Sequence, residues 1–305
     1  MILLGILAAS KSSAAVGVAG YVAGGRYGSR TTTVDKFTFP SDSRTTLGTG
    51  LSSSREESTG MSNSGVAGYV AGGDEGSRTS TVDKFAFPGD SRTTLGTGLS
   101  TATLRPAGLS NSGVAGYTAG GSDGSEVDTV DKFTFPSDSR TTLGTGLSSA
   151  RNSAAGFSDS GVAGYVAGGY DGSRLATVDK FAFPGDSRTT LGTGLSGSRN
   201  SAAGFSDSGV AGYVAGGYDG SRISTVDKFA FASDSRTTLG TGLSGNRNSA
   251  TGFSDSGVAG YVAGGSDGSD IDTVDKFAFP SDSRTTLGTG LSSARSYPAG
   301  FQDAI

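Results

Sequence analysis

The chain contains no histidine, no cysteine and no tryptophan, and only 7 prolines among 305 residues. The missing histidine removes both the commonest general base and the commonest transition-metal ligand. The missing cysteine excludes disulfides and thiolate metal sites, and leaves the redox compartment undefined. Charge is also scarce: 17% of residues are charged and the net charge is −4. No basic surplus exists to neutralise a phosphate backbone, so nucleic acid is not an expected partner. No apolar run approaches the roughly 18 residues that a membrane span needs, so none is expected. Apolar residues make up 34% of the chain, thin for an ordinary core.

Glycine is what the chain has in excess, 53 of 305 residues. There is no G-x-y period, which excludes collagen. High glycine with little proline points to tight turns and close-packed backbones. A chain of this length could hold two average domains, yet closed β-architectures often run this long as one.

An internal repeat decides between these. The string GYVAGG, or a near copy, places its Gly pair at Gly24-Gly25, Gly72-Gly73, Gly120-Gly121, Gly168-Gly169, Gly216-Gly217 and Gly264-Gly265, a step of 48 residues each time. The Val-Asp-Lys-Phe string keeps the same beat at Asp35, Asp83, Asp131, Asp179, Asp227 and Asp275. Helical repeats of similar length need helix formers, whereas Gly, Ser and Thr dominate here and each interior Gly costs a helix about 1 kcal/mol. Four strands fit each copy. In the fourth they are a, residues 152–158; b, 161–167; c, 177–183, stopped by Pro184; and d, 189–195, with turn signals between them.

The expected fold is therefore all-β, a six-bladed β-propeller of four-stranded antiparallel blades. Strand periodicity puts Asp179, Phe181 and Phe183 on one face of c, and Leu191 and Leu195 of d opposite a face containing Gly192 and Gly194. Stacked blades would set Phe and Leu of one against Gly and Ala of the next. Gly17 and Ile305 share one register, six periods apart, so residues 17–305 form the propeller and blade one lacks a local strand a. The C-terminal segment 296–304, with Phe301 matching Phe157, Phe205 and Phe253, is expected to supply it and close the ring.

The Gly pair ending strand b, the hydrophobic-Asp-x-aromatic strand c, and an Arg opening strand a (Arg151, Arg199, Arg247, Arg295) resemble the kelch repeat over residues 17 to 305. The departure is Thr-Leu-Gly where kelch strand d carries tryptophan. These Gly-rich copies are similar to kelch-like proteins of tailed phages and environmental bacteria. The opening LLGILAAS resembles the short start of many phage virion proteins.

The candidate chemistry is sparse. Asp179 with Lys180, and Asp186 with Arg188, recur in all copies, which fits structural ion pairs and turn formers better than catalysts. Asp186 reads as a cap of its own turn, and Arg188 as the partner of a carboxylate across or between blades. The kelch-fold copper oxidases need histidine ligands, and six-bladed sialidases need acidic boxes ending in Trp; neither exists here. Asp-Gly turns such as Asp171-Gly172 lack EF-hand spacing and fit hairpins. No enzyme, cofactor or metal site is expected.

Comparison between copies gives the functional hint. The a–b turns (SDSG or SNSG) and c–d turns (PSDSR) hardly change, whereas the b–c loops and d–a connections do, with Arg55-Glu56-Glu57 in one copy and Thr103-Leu104-Arg105-Pro106 in the next. Both variable sets emerge on one side of an up-and-down blade. That side is the expected binding face, with Tyr27, Asp74, Glu75, Asp123, Tyr170 and Tyr218 as candidates for contact with a protein or a surface glycan. Residues 1–16 are surplus to the strands. Their apolar side chains Ile2, Leu3, Leu4, Ile6 and Leu7 lack a preceding basic region, against a signal peptide, and read as an assembly arm. It would dock in its own ring or on a neighbouring subunit, making a homo-oligomer. The resemblance implies a non-enzymatic virion protein, tail-associated or surface-decorating; a secreted bacterial carbohydrate- or protein-binding propeller is the alternative.

Overall fold

Residues 18–303 are described by a computed structural model. The arm residues Ile2, Leu3, Leu4, Ile6 and Leu7 lie outside the described residues. Six four-stranded antiparallel sheets follow one another in chain order and close into a ring. Blade four is built from Ala155–Asp159, Ala163–Ala167, Val178–Ala182 and Ser187–Thr190, strands a to d from the axis outwards. The a strands of neighbouring blades pack on one another around the axis. In the first blade strand a is Ala299–Gln302, which pairs with Ala19–Ala23 in the register Tyr21 to Phe301. The last residues thus close the ring onto the first. Among the described residues no helix is long and apolar enough to cross a membrane.

Blades interlock through strands a and b. An added Cβ on Gly212, in strand b of blade five, would lie 2.0 Å from Cδ2 of Phe157, in strand a of blade four. Only a residue without a side chain lets the ring slide flat over the neighbouring backbone. Phe157 also stacks on Tyr165 of its own blade at 5.0 Å and on Phe229 of the next at 5.8 Å. Met61 and Leu109 take the aromatic's place in blades two and three, over Gly116 and Gly164. The expectation of bulk against glycine holds in kind, but the partners are strand a and strand b.

Strand d differs from expectation. It spans Ser187–Thr190, not residues 189–195. The Leu191 amide ends the ladder on the Val178 carbonyl at 2.9 Å, after which Gly192 to Gly194 bend the chain back towards the axis. Leu195 then anchors in the core, its amide on the Ala176 carbonyl at 2.8 Å. The glycines of that segment serve this return path and make no stacking face. Strand a likewise starts later than expected, at Ala155.

Polar contacts complete each junction. Tyr117 Oη donates to Asp186 Oδ1 at 2.8 Å and Lys132 Nζ to Asp186 Oδ2 at 2.6 Å, so the c–d turn of blade four is latched to blade three. The same pair of bonds joins every blade to the next, ending with Tyr261 and Lys276 on Asp42 of blade one. Burial, and then the hydrogen bond to the carboxylate, push these phenols up, so they act as neutral donors. Asp186 holds φ at 53°, a left-handed turn residue, but its carboxylate accepts from Tyr117 and Lys132 of the neighbouring blade rather than capping its own turn. Arg188 instead stays within its blade, 3.7 Å from Asp179 across strands c and d.

Removing residues 296–305 deletes strand a of blade one together with Phe301. The truncated chain should melt lower by about 10 °C or more, or fail to fold, in a circular-dichroism melt; melting like the full chain would contradict closure by this strand. Asp303 supplies a second expectation. Burial, reinforced by Asp90 and opposed by Lys36, pushes its carboxyl up to about 6. The folded state therefore disfavours its ionised form: the penalty is absent below the ordinary value near 4, grows to pH 6 and is complete above it. Asn63 and Asn111 occupy the matching turn position in two blades, so an amide fits there. Asp303→Asn should raise the melting temperature at pH 7 and leave it unchanged at pH 3.5.

Candidate binding face and axial mouth

The variable loops share one face because they bridge one another. Each d–a connection pairs with the b–c loop of the blade it enters, as Asn152 with Tyr170 and Asn200 with Tyr218. The Gly168-Gly169 pair, at φ of 66° and 109°, takes the chain out of strand b through a conformation that other residues resist. The loop then closes on itself through Tyr170 and Arg174, and Asp171 caps the turn by accepting from the Ser173 amide at 3.2 Å. These are short, tied loops.

The six candidates for contact lie on this face but are spread over five loops. Tyr27, at the tip of the first, is 64% exposed. Glu75 and Asp123 are exposed, while Asp74, Tyr170 and Tyr218 are half-buried. Two of them join neighbouring loops. Asp74 Oδ2 accepts from Arg30 Nη2 at 2.7 Å, and the Arg174 guanidinium sits 4.7 Å from the Tyr218 ring centroid. Burial opposes ionisation of Asp74, but the Gly76 amide and Arg30 outweigh it and hold the carboxyl below its usual range. Among the described residues, neither the axial cavities nor the cavity beside Asp131 is lined by any of the six.

What does converge is the position two residues after each strand-opening Arg, or after Thr103, which stands in its place in blade three. Glu57, Arg105, Ser153, Ser201, Ser249 and Tyr297 circle the axis at φ between 52° and 60°. Each amide donates to the carbonyl of its neighbour in the preceding blade, from Glu57 on Tyr297 round to Tyr297 on Ser249, at 2.8 to 3.0 Å. This closed belt of six hydrogen bonds sets the mouth of the central channel. Left-handed geometry at a non-glycine residue costs about 1 kcal/mol, which the belt offsets.

The belt is symmetric in backbone but not in chemistry. Arg105 donates to Glu57, and its guanidinium lies 5.2 Å from the Tyr297 ring centroid. Burial lowers the affinity of Arg105 for its proton, but Glu57 outweighs this and the guanidinium stays charged. The other half of the mouth carries only three serine hydroxyls. The cavity between them is about 90 Å³. Arg105 Nε, Ser58 Oγ and Ser249 Oγ are buried at its wall without a hydrogen-bond partner. Deeper in the channel a second belt runs from Ser62 through Ser110, Ser158, Ser206 and Ser254 to Gln302, each amide donating to the next side-chain oxygen at 2.9 to 3.1 Å.

Sequence reasoning noticed the variable segments holding Glu57 and Arg105, yet not that they meet Tyr297 on the axis. The signal was available as one aligned position, Glu, Arg, Ser, Ser, Ser, Tyr at intervals of 48. The contrast between constant and variable turns also needs correcting. The c–d turns are constant because their Asp latches the preceding blade, so their constancy is structural and by itself says nothing about the other face. No family model matches the chain, and no curated protein matches it.

Because the belt is made by backbone, its side chains are expected to be dispensable to folding. Replacing Glu57, Arg105 and Tyr297 together by Ser, the residue of three other copies, should leave the melting temperature within about 3 °C of the parent. A larger loss in a thermal melt would show that these side chains hold the ring.

Proposed function

We propose that this chain is a non-enzymatic recognition module that binds a surface glycan at the axial mouth of its loop face. The observation that carries this reading is the broken symmetry of the mouth: one position in six near-identical copies holds Glu57, Arg105 and Tyr297 on one side and serines on the other. A carboxylate beside a guanidinium suits the paired donors and acceptors of neighbouring sugar hydroxyls. The serines extend that hydrogen bonding, and Tyr297 and the loop tyrosines Tyr27 and Tyr170 offer apolar ring faces. The cavity admits one protruding group of a larger ligand, which the surrounding loops would hold.

The non-enzymatic reading is supported by the duties of the repeated acidic and basic side chains, which tie strands and blades together. The setting we propose is a virion, as a tail-associated or decorating protein. Its support is the likeness of the Gly-rich kelch-like copies and of the LLGILAAS start to phage proteins. A protein partner is the second reading, favoured by Tyr27, which stands clear of its blade at 64% exposure.

A glycan array probed with the parent chain and with the triple serine variant tests this. The parent should bind a restricted set of glycans, and the variant should lose at least about tenfold in affinity, the equivalent of one lost charged hydrogen bond. Equal binding by both proteins would remove the mouth from the site, and turnover of a bound glycan would overturn the non-enzymatic reading.

A further inference from the structure

Five of the six blades bury an arginine. Arg55, Arg151, Arg199, Arg247 and Arg295 each point from the d–a connection to the strand c aspartate of the blade they enter, at 2.9 to 3.0 Å. The same guanidinium donates to a strand b carbonyl, Arg151 to Val166 at 3.3 Å and its counterparts likewise. Each of these aspartates has a second, half-exposed guanidinium on its other oxygen, such as Arg188 at 3.7 Å from Asp179. Two cations thus face the strand c carboxylate in each of these blades.

The third blade breaks the rule. Thr103 stands where the arginine would be, and Thr118 stands where the other copies hold valine. Asp131 is buried like its counterparts, 3% exposed against their 0%, yet keeps only Arg140 at 3.4 Å. Its Oδ2 accepts from the Ser100 amide and hydroxyl at 2.7 and 2.8 Å, and its Oδ1 from Thr142 Oγ1 at 2.6 Å. The space vacated by the guanidinium is a cavity of about 20 Å³, bordered by Asp131, Thr103, Thr118, Thr101, Ser100 and Thr129 among others. That is room for one water-sized species. Thr103 Oγ1 spends its proton on the Thr101 carbonyl at 2.8 Å, so only its lone pairs remain to offer. The two exchanges replace a cation and a methyl group with oxygen atoms.

We propose that this cavity binds a small monovalent cation, sodium, potassium or ammonium, held by the Asp131 carboxylate and the oxygens of Thr103 and Thr118 where five sister blades place a guanidinium. Oxygen donors around one carboxylate suit a hard, singly charged ion. A buried carboxylate robbed of one of its charge partners supplies the drive, since leaving it so is costly. A ligand that binds only the folded chain raises its stability as the concentration passes the dissociation constant. The site is independent of the axial mouth and of the glycan reading.

The test is thermal unfolding at pH 7 and constant ionic strength, with choline chloride replaced stepwise by sodium, potassium or ammonium chloride. At least one of the three should raise the melting temperature of the parent saturably, by about 2 °C or more. Thr103→Arg restores the guanidinium and should abolish the response. Thr118→Val carries the residue of the other five copies, so it folds if any variant does, and should shift the response to higher concentration. Sodium-23 linewidths of the folded parent, broadened by binding and narrowed again by potassium or ammonium, read the site directly. No cation-specific rise and no broadening would overturn the proposal, as would an undiminished response in Thr103→Arg or, should that variant not fold, in Thr118→Val.

Discussion

The whole ring depends on a side chain of one blade lying where the next blade has none. Phe157 over Gly212, and its equivalents around the disc, bring neighbouring backbones close enough that the remaining inter-blade contacts can form. The Tyr and Lys donors reach the Asp of the following c–d turn only at that spacing, and the belts around the axis close only if every blade keeps it. Glycine therefore does the work that bulk does in most cores. That is why 34% apolar residues suffice. The buried aromatic rings stack on one another within and between blades while also lying against the bare backbone of the next blade.

A frame this regular separates the side chains that folding needs from those it leaves free to vary. Charged residues recur in every blade because each junction needs them, so repeated chemistry marks structure. Chemistry that occurs once marks something else. The Glu57, Arg105 and Tyr297 arc occupies a belt whose hydrogen bonds are entirely backbone, so its side chains could diverge without loosening the ring. Thr103 and Thr118 are a different case, two exchanges inside the frame itself, and they meet at one buried carboxylate. The proposed binding mouth and the altered strut are both visible only against copies that show what each position otherwise holds.

Much of this was legible in the residues. The 48-residue step, the Gly pair and the Val-Asp-Lys-Phe string fixed blade number and strands b and c, because each signal is local and repeated. Ring closure followed from register alone, and Phe301 identified the closing strand by its match to Phe157. Strand d was misjudged because Thr189 to Leu195 alternates like a strand, while its later half is a return path pinned by Leu195. The buried role of Arg151 was hidden for another reason: its partner Asp179 is 28 residues away, and nothing in the sequence marks the pair. The axial mouth was hidden by distance as well, since Glu57 and Tyr297 become neighbours only when the ring closes.

The most direct test compares two glycine-to-alanine substitutions. Gly212 has Phe157 against it, whereas an added Cβ on Gly192 would meet nothing within 4 Å. Urea unfolding should show Gly212→Ala destabilised by about 1–3 kcal/mol or more, as overpacking of a tight contact demands. Gly192→Ala should be neutral or slightly stabilising, because it only restricts the unfolded chain. Equal effects at the two positions would contradict the claim that the blades are held by side chains seated on bare backbone.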